Sequence, residues 1–111
     1  MSKIFDFHCV PTIKPQDVKS MSDYALIDVR RDDEYSGELG HVEGAKLVTL
    51  GEDLKHFLDS MKPESKIIFI CRSGGRSAQA TLYAQNMGFD DVVNMQGGML
   101  EWNELGLPTI K

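Results

Sequence analysis

The run Lys66-Ile67-Ile68-Phe69-Ile70, apolar after its lysine, passes directly into Cys71-Arg72-Ser73-Gly74-Gly75-Arg76-Ser77 and then into an Ala-rich stretch of helical periodicity. A strand, a tight loop and a helix in immediate succession form the unit of open α/β sheets, which place their chemistry outside the carboxyl ends of the strands. A thiol is predicted at that edge. The two glycines permit a tight turn with backbone N–H groups pointing inward, and the following helix directs the positive end of its dipole at the same spot. A sulfur anion would be stabilised there. The chain carries four arginines, Arg30, Arg31, Arg72 and Arg76, and two of them fall in this loop although the formal net charge is -5.

The rest of the chain repeats the alternation. Strands are predicted at Val10 to Ile13, Ala25 to Val29, Lys46 to Val48, Lys66 to Ile70 and Asp91 to Asn94. Helical segments are predicted at Pro15 to Met21, Asp32 to Tyr35, Glu52 to Met61, Arg76 to Met87 and Met99 to Leu105. The order implies a parallel α/β sheet. In the longest helix Ala80, Tyr83, Ala84 and Met87 have the spacing of a core-facing stripe, and Gly88 stands where a left-handed C-terminal cap belongs. Gly37, Gly40 and Gly44 mark an irregular connection with short helical turns. With 111 residues the chain reads as one domain, residues 1–111, large enough to bury roughly two thirds of its unfolded surface.

Composition removes several classes of function. The acidic balance argues against nucleic acid as a general partner, and no stretch approaches membrane-spanning length. The N-terminal residues show no apolar leader segment, and with Cys9 and Cys71 as the only cysteines no disulfide framework is available. A reducing cytoplasm is the expected location. There is no Cys-x-x-Cys pair or zinc-like His/Cys cluster, and His8 beside Cys9 is too sparse for a ligand set, so neither a metal nor a cofactor is expected.

Four ordered segments carry a family resemblance: Leu26-Ile27-Asp28-Val29-Arg30 with Glu34-Tyr35, Gly40-His41-Val42-Glu43-Gly44-Ala45, Cys71 to Ser77, and Gly97-Gly98-Met99-Leu100-Glu101-Trp102. In order and spacing they resemble a single-domain rhodanese, over about Thr12 to Pro108. The resemblance implies an α/β three-layer sandwich around a central five-stranded parallel sheet. It also implies that Cys71 is a nucleophile carrying a sulfane sulfur as a persulfide, within a binding loop of Arg72, Ser73, Gly74, Gly75, Arg76 and Ser77. The chain departs from the family pattern at Glu43, where proline is usual, and at Lys46-Leu47-Val48, which bears on rim shape and acceptor choice.

The expected chemistry is sulfur transfer from thiosulfate or a persulfide donor to a thiol, cyanide or a partner protein of a sulfur relay. An unperturbed thiol of pKa about 8.5 is only roughly 3% ionised at pH 7, so activation is required. A helix N-terminus supplies on the order of 1 kcal/mol, less than one pKa unit, and the loop's N–H groups and arginines are expected to supply the rest. Arg76 in a first helical turn opposes the dipole, which favours an anion-binding role for it. Arg72 is a candidate rim contact. Ser73 and Ser77 are read as hydroxyls bonding the loop, and Gly74 and Gly75 as enabling its backbone. Asp28 and Arg30 are expected to brace the adjoining wall, His41 to serve the rim or the structure rather than act as a base, and Trp102 to anchor the last helix. Two rivals stand beside sulfur transfer. One is a non-enzymatic regulatory module; the other is a Cys-dependent phosphatase or arsenate reductase. Related enzymes of the latter kind place one more residue between cysteine and arginine than the four found here.

Overall fold

Ile67, Ile68, Phe69 and Ile70 are all buried, and because side chains alternate across a strand they feed two cores. Ile67 and Phe69 pack on one side of the sheet; Ile68 and Ile70 pack on the other. A strand apolar on both faces needs cover on both, which is the reason for a layered α/β arrangement. The computed structural model describes residues 3–7 and 10–111. In chain order these form β1 (Phe5–Phe7), β2 (Val10–Ile13), a 3-10 helix (Pro15–Ser20), β3 (Ala25–Asp28), α1 (Asp32–Tyr35), β4 (Lys46–Leu47), α2 (Glu52–Asp59), β5 (Ile67–Ile70), α3 (Gly75–Asn86), β6 (Val92–Met95) and α4 (Gly98–Glu104). The readings made for His8 and Cys9 lie outside the described residues.

The strand order is β1-β2-β6-β5-β3-β4. Five strands run parallel, and β1 adds a sixth, antiparallel to β2 with Phe5 opposite Thr12. The sheet is therefore mixed, not purely parallel with five strands. Three half-exposed residues at an edge offer too short an alternation to stand out in the sequence. Leu54 and Leu58 of α2 and Ala80 and Ala84 of α3 cover one face, while Val18 of the 3-10 helix and Met99 and Trp102 of α4 cover the other. Trp102 is buried and its indole N–H donates to the Pro108 carbonyl at 3.0 Å.

Two further expectations need correction. Pro15–Ser20 forms a 3-10 helix, with bonds of three-residue span such as Met21 N–H to the Val18 carbonyl. In α3 the buried stripe is Ser77, Ala80, Thr81 and Ala84, with Met87 partly buried and Tyr83 at the surface. Small side chains let α3 lie close to the sheet, so the bulky tyrosine is turned outward. The cap at Gly88 does form: φ is +98°, Phe89 N–H bonds the Ala84 carbonyl at 3.1 Å and Gly88 N–H bonds that of Gln85 at 3.0 Å.

Candidate active site

The two-residue alternation that sends Ile67 and Phe69 toward α3 continues to Cys71, which joins the same buried cluster. The thiol is thus delivered to the N-terminus of α3 by strand geometry alone. Gly74 caps that helix with φ +103°, and its N–H donates to Cys71 Sγ at 3.0 Å. Ser77, in the first turn of the helix, places Oγ 3.3 Å from Sγ and donates to Asn94 Oδ1 on β6. Only Gly74 of the two loop glycines needs its conformational freedom; Gly75 opens α3 without a positive φ. From the other side α4 holds the loop, its Met99 and Leu100 N–H groups donating to the carbonyls of Cys71 and Arg72 at 2.8 and 2.9 Å.

The arginines divide sharply. Arg30 is buried and paired with the buried Asp28, Nε to Oδ1 at 2.9 Å and Nη2 to Oδ2 at 2.8 Å, and it donates further to the Gly40 carbonyl at 2.8 Å. This ties the end of β3 to the loop before His41. Removing one partner of such a pair costs about 3–5 kcal/mol because the other charge is left buried. Arg76 does not point freely at the thiol. Its guanidinium forks onto Glu34 at 2.6 and 2.8 Å, a pairing between residues far apart in the chain that the sequence did not suggest. Arg31 pairs with Asp33 at the surface. Arg72 is exposed and, among the described residues, has no carboxylate partner. It lines a depression of about 210 Å³ together with Glu34 and Glu38.

His41 is stacked on Tyr35, ring centroids 3.7 Å apart, with Nδ1 2.9 Å from the Tyr35 carbonyl oxygen. That places it in the scaffold beneath the α1 segment. Ser73 is exposed on the loop. Among the described residues no group of His, Cys, Asp and Glu is arranged to hold a metal ion, and no helix is long and apolar enough to cross a membrane.

The hydrogen bonds from Arg76 hold the Glu34 carboxyl well down, at about 2, against an ordinary value of 4.5. Because the folded value is depressed, the stabilisation is complete above the ordinary carboxylate range and is lost as pH falls through about 2. Glu34→Gln is therefore expected to flatten the acid limb of a Tm against pH curve. Parallel limbs for the two proteins would show that the pair contributes nothing.

Residues 14–105 match the rhodanese-like domain family. The chain is 30% identical to the thiosulfate sulfurtransferase GlpE of Shewanella oneidensis, over 71% of its own length and 75% of that protein's. It is 36% identical to the putative sulfurtransferase YtwF of Bacillus subtilis, over 69% of this chain and 71% of the relative. A crystal structure of a rhodanese-like domain protein from Staphylococcus aureus superposes with a TM-score of 0.73 at 28% identity, covering 90% of this chain and 98% of that one. Other curated relatives are longer: the chain spans 56% of an uncharacterized Synechocystis protein and 24% of a probable adenylyltransferase/sulfurtransferase of Mycobacterium tuberculosis.

Proposed function

Because the chain belongs to the rhodanese-like domain family, we propose that it is a sulfurtransferase that works through a persulfide on Cys71. The observation that carries this reading is the placement of Sγ at the start of α3, bonded by the Gly74 N–H and within reach of the Ser77 hydroxyl. The backbone N–H of Gly74, held in place by the loop, stabilises negative charge that develops on sulfur without having to reorient. The names of the GlpE and YtwF relatives support the same reaction class.

In the first half-reaction the Cys71 thiolate attacks the outer sulfur of thiosulfate. A bond forms from Sγ to that sulfur, the sulfur–sulfur bond of thiosulfate breaks, and its electron pair leaves on sulfite. In the second, a thiolate or cyanide attacks the outer sulfur of the persulfide and Sγ departs again as thiolate. Arg72, exposed and without a carboxylate partner among the described residues, meets the incoming anion. Cys71 is fully buried, so the exposed Arg72-Ser73 turn must yield for donor and acceptor to enter. The phosphatase reading loses support on the same evidence: the guanidinium an oxyanion cradle would use is held by Glu34, and only four residues separate Cys71 from Arg76. A protein acceptor in a sulfur relay completes the proposal.

Intact-mass measurement of protein purified without reductant tests the scheme directly. Thiosulfate should add one sulfur atom to the chain and release sulfite; cyanide should then remove that atom and yield thiocyanate. A mass that thiosulfate leaves unchanged would remove thiosulfate as donor, and repeating the measurement with a polysulfide would decide whether the persulfide chemistry stands.

A further inference from the structure

Asn94 is the one polar residue in β6, otherwise Val92, Val93 and Met95, and it is buried. Its Oδ1 accepts from Ser77, while its Nδ2 has no hydrogen bond among the described residues and the side chain borders a depression of about 470 Å³ shared with Gly74 and Gly97. The amide is thus committed at one end and open at the other.

The Ser77 hydroxyl has a single proton and three neighbours, Asn94 Oδ1, Cys71 Sγ and the Gly74 carbonyl at 3.2 Å. With that proton on Asn94, Oγ turns a lone pair to Cys71 and suits the protonated thiol, whose S–H donates to it. A thiolate has no proton to give. It needs Ser77 to donate, and Ser77 can do so while keeping its link to β6 only if Asn94 turns its amide and offers Nδ2–H instead. Since no described residue holds the other end of the amide, that rotation breaks no second bond among them. We infer that Asn94 is a positioning residue for the nucleophile: its amide rotates with the ionisation of Cys71 and reverses the Ser77 hydroxyl from acceptor of the thiol proton to donor to the thiolate. No covalent bond changes in this step; the thiol proton leaves to solvent or to the departing group, and the hydroxyl proton reorients.

Of the charges near the loop, Arg76 of α3 acts on the thiol, the Glu34 carboxylate pairs with that arginine from α1, Arg72 belongs to the loop itself, and the buried Asp28–Arg30 pair at the end of β3 closes on itself and on the Gly40 carbonyl. The relay acts in addition to these and through Ser77 alone. It rests on the assignment of Cys71 as the reacting thiol, and its test reads ionisation without sulfur transfer.

Thiolate ultraviolet absorbance is titrated in a Cys9→Ser background. Asn94→Asp, which keeps the shape but accepts only, should raise the Cys71 midpoint by about one pH unit, a tenfold change in its ionisation constant. Placed in a Ser77→Ala background the same substitution should have less than half that effect. An unchanged midpoint, or an equal shift with and without the Ser77 hydroxyl, overturns the relay. A second measurement needs no substitution at Asn94: in nitrogen-labelled protein its side-chain amide resonance should move through the same midpoint as the thiolate absorbance and stay fixed in Cys71→Ser. A resonance indifferent to that midpoint in the Cys71 protein rejects the inference. Failure of sulfur transfer alone would leave both readouts standing.

Discussion

Cys71→Ser is expected to abolish sulfur transfer outright while leaving the protein folded. Serine fits the space, and its hydroxyl satisfies the Gly74 N–H and Ser77 groups that now meet Sγ, so little of the buried cluster is disturbed. What serine cannot do is bond to a second sulfur and release it again, and the proposed turnover requires both events. Thiosulfate:cyanide activity should fall to the uncatalysed background, with a melting temperature close to the parent's. Cys9→Ser should remain active, since Cys9 lies in an N-terminal stretch without glycine loop or following helix. Sulfur transfer surviving in Cys71→Ser would move the chemistry to another group and end the persulfide reading of this loop.

The position of the thiol was legible before any coordinates, for a simple physical reason. An apolar strand with a fixed two-residue period, a glycine turn and a helix start are local features, and together they aim Cys71 at the amide end of α3. Trp102 was read as the anchor of the last helix and is buried in the core that α4 covers, while Asp28 and Arg30, which the family resemblance made supporting residues, pair with each other and with the Gly40 carbonyl. The antiparallel strand β1 was not legible, because three residues at an edge bury too little to impose a pattern. Tyr83 misled in the opposite way: spacing alone put it inward, but a helix resting on serine, alanine and threonine leaves no room for a ring.

The electrostatics of the site needed the fold itself. Glu34 and Arg76 are 42 residues apart in the chain, and no spacing rule brings them together. Their pairing changes what Arg76 does: its charge is shared between a carboxylate and the loop, so its effect on Cys71 is moderated rather than delivered in full. Asn94 did leave a signal, as the single amide in a strand otherwise apolar. Its meaning appeared only once β6 was seen to lie beneath Ser77.

Gly98→Ala should be the most damaging substitution of a single small group in the molecule. Gly98 has φ +57°, and an added Cβ would lie 2.4 Å from the Cys71 carbonyl oxygen and 2.5 Å from the carbonyl carbon and oxygen of Arg72. Those are backbone atoms of the loop that begins at Cys71, not the yielding ends of side chains. To make room, α4 must withdraw the Met99 and Leu100 N–H groups that grip the same two carbonyls, or the loop must leave the start of α3. Gly106→Ala provides the control, because φ there is +70° but nothing lies within 4 Å of the added carbon. The control isolates left-handed strain, about 1–2 kcal/mol. The clash at Gly98 should raise the total to roughly 4 kcal/mol or more, a range that few mechanisms reach, overpacking against backbone among them. Calorimetry of both variants, with the sulfur-transfer rate of each at a temperature where it is folded, separates the effects. Gly106→Ala should transfer sulfur at the parental rate after a modest fall in Tm, while Gly98→Ala should lose both stability and rate. Equal melting of the two would show that the approach of α4 to the loop is loose enough to admit a methyl group, and that the loop's geometry does not depend on it.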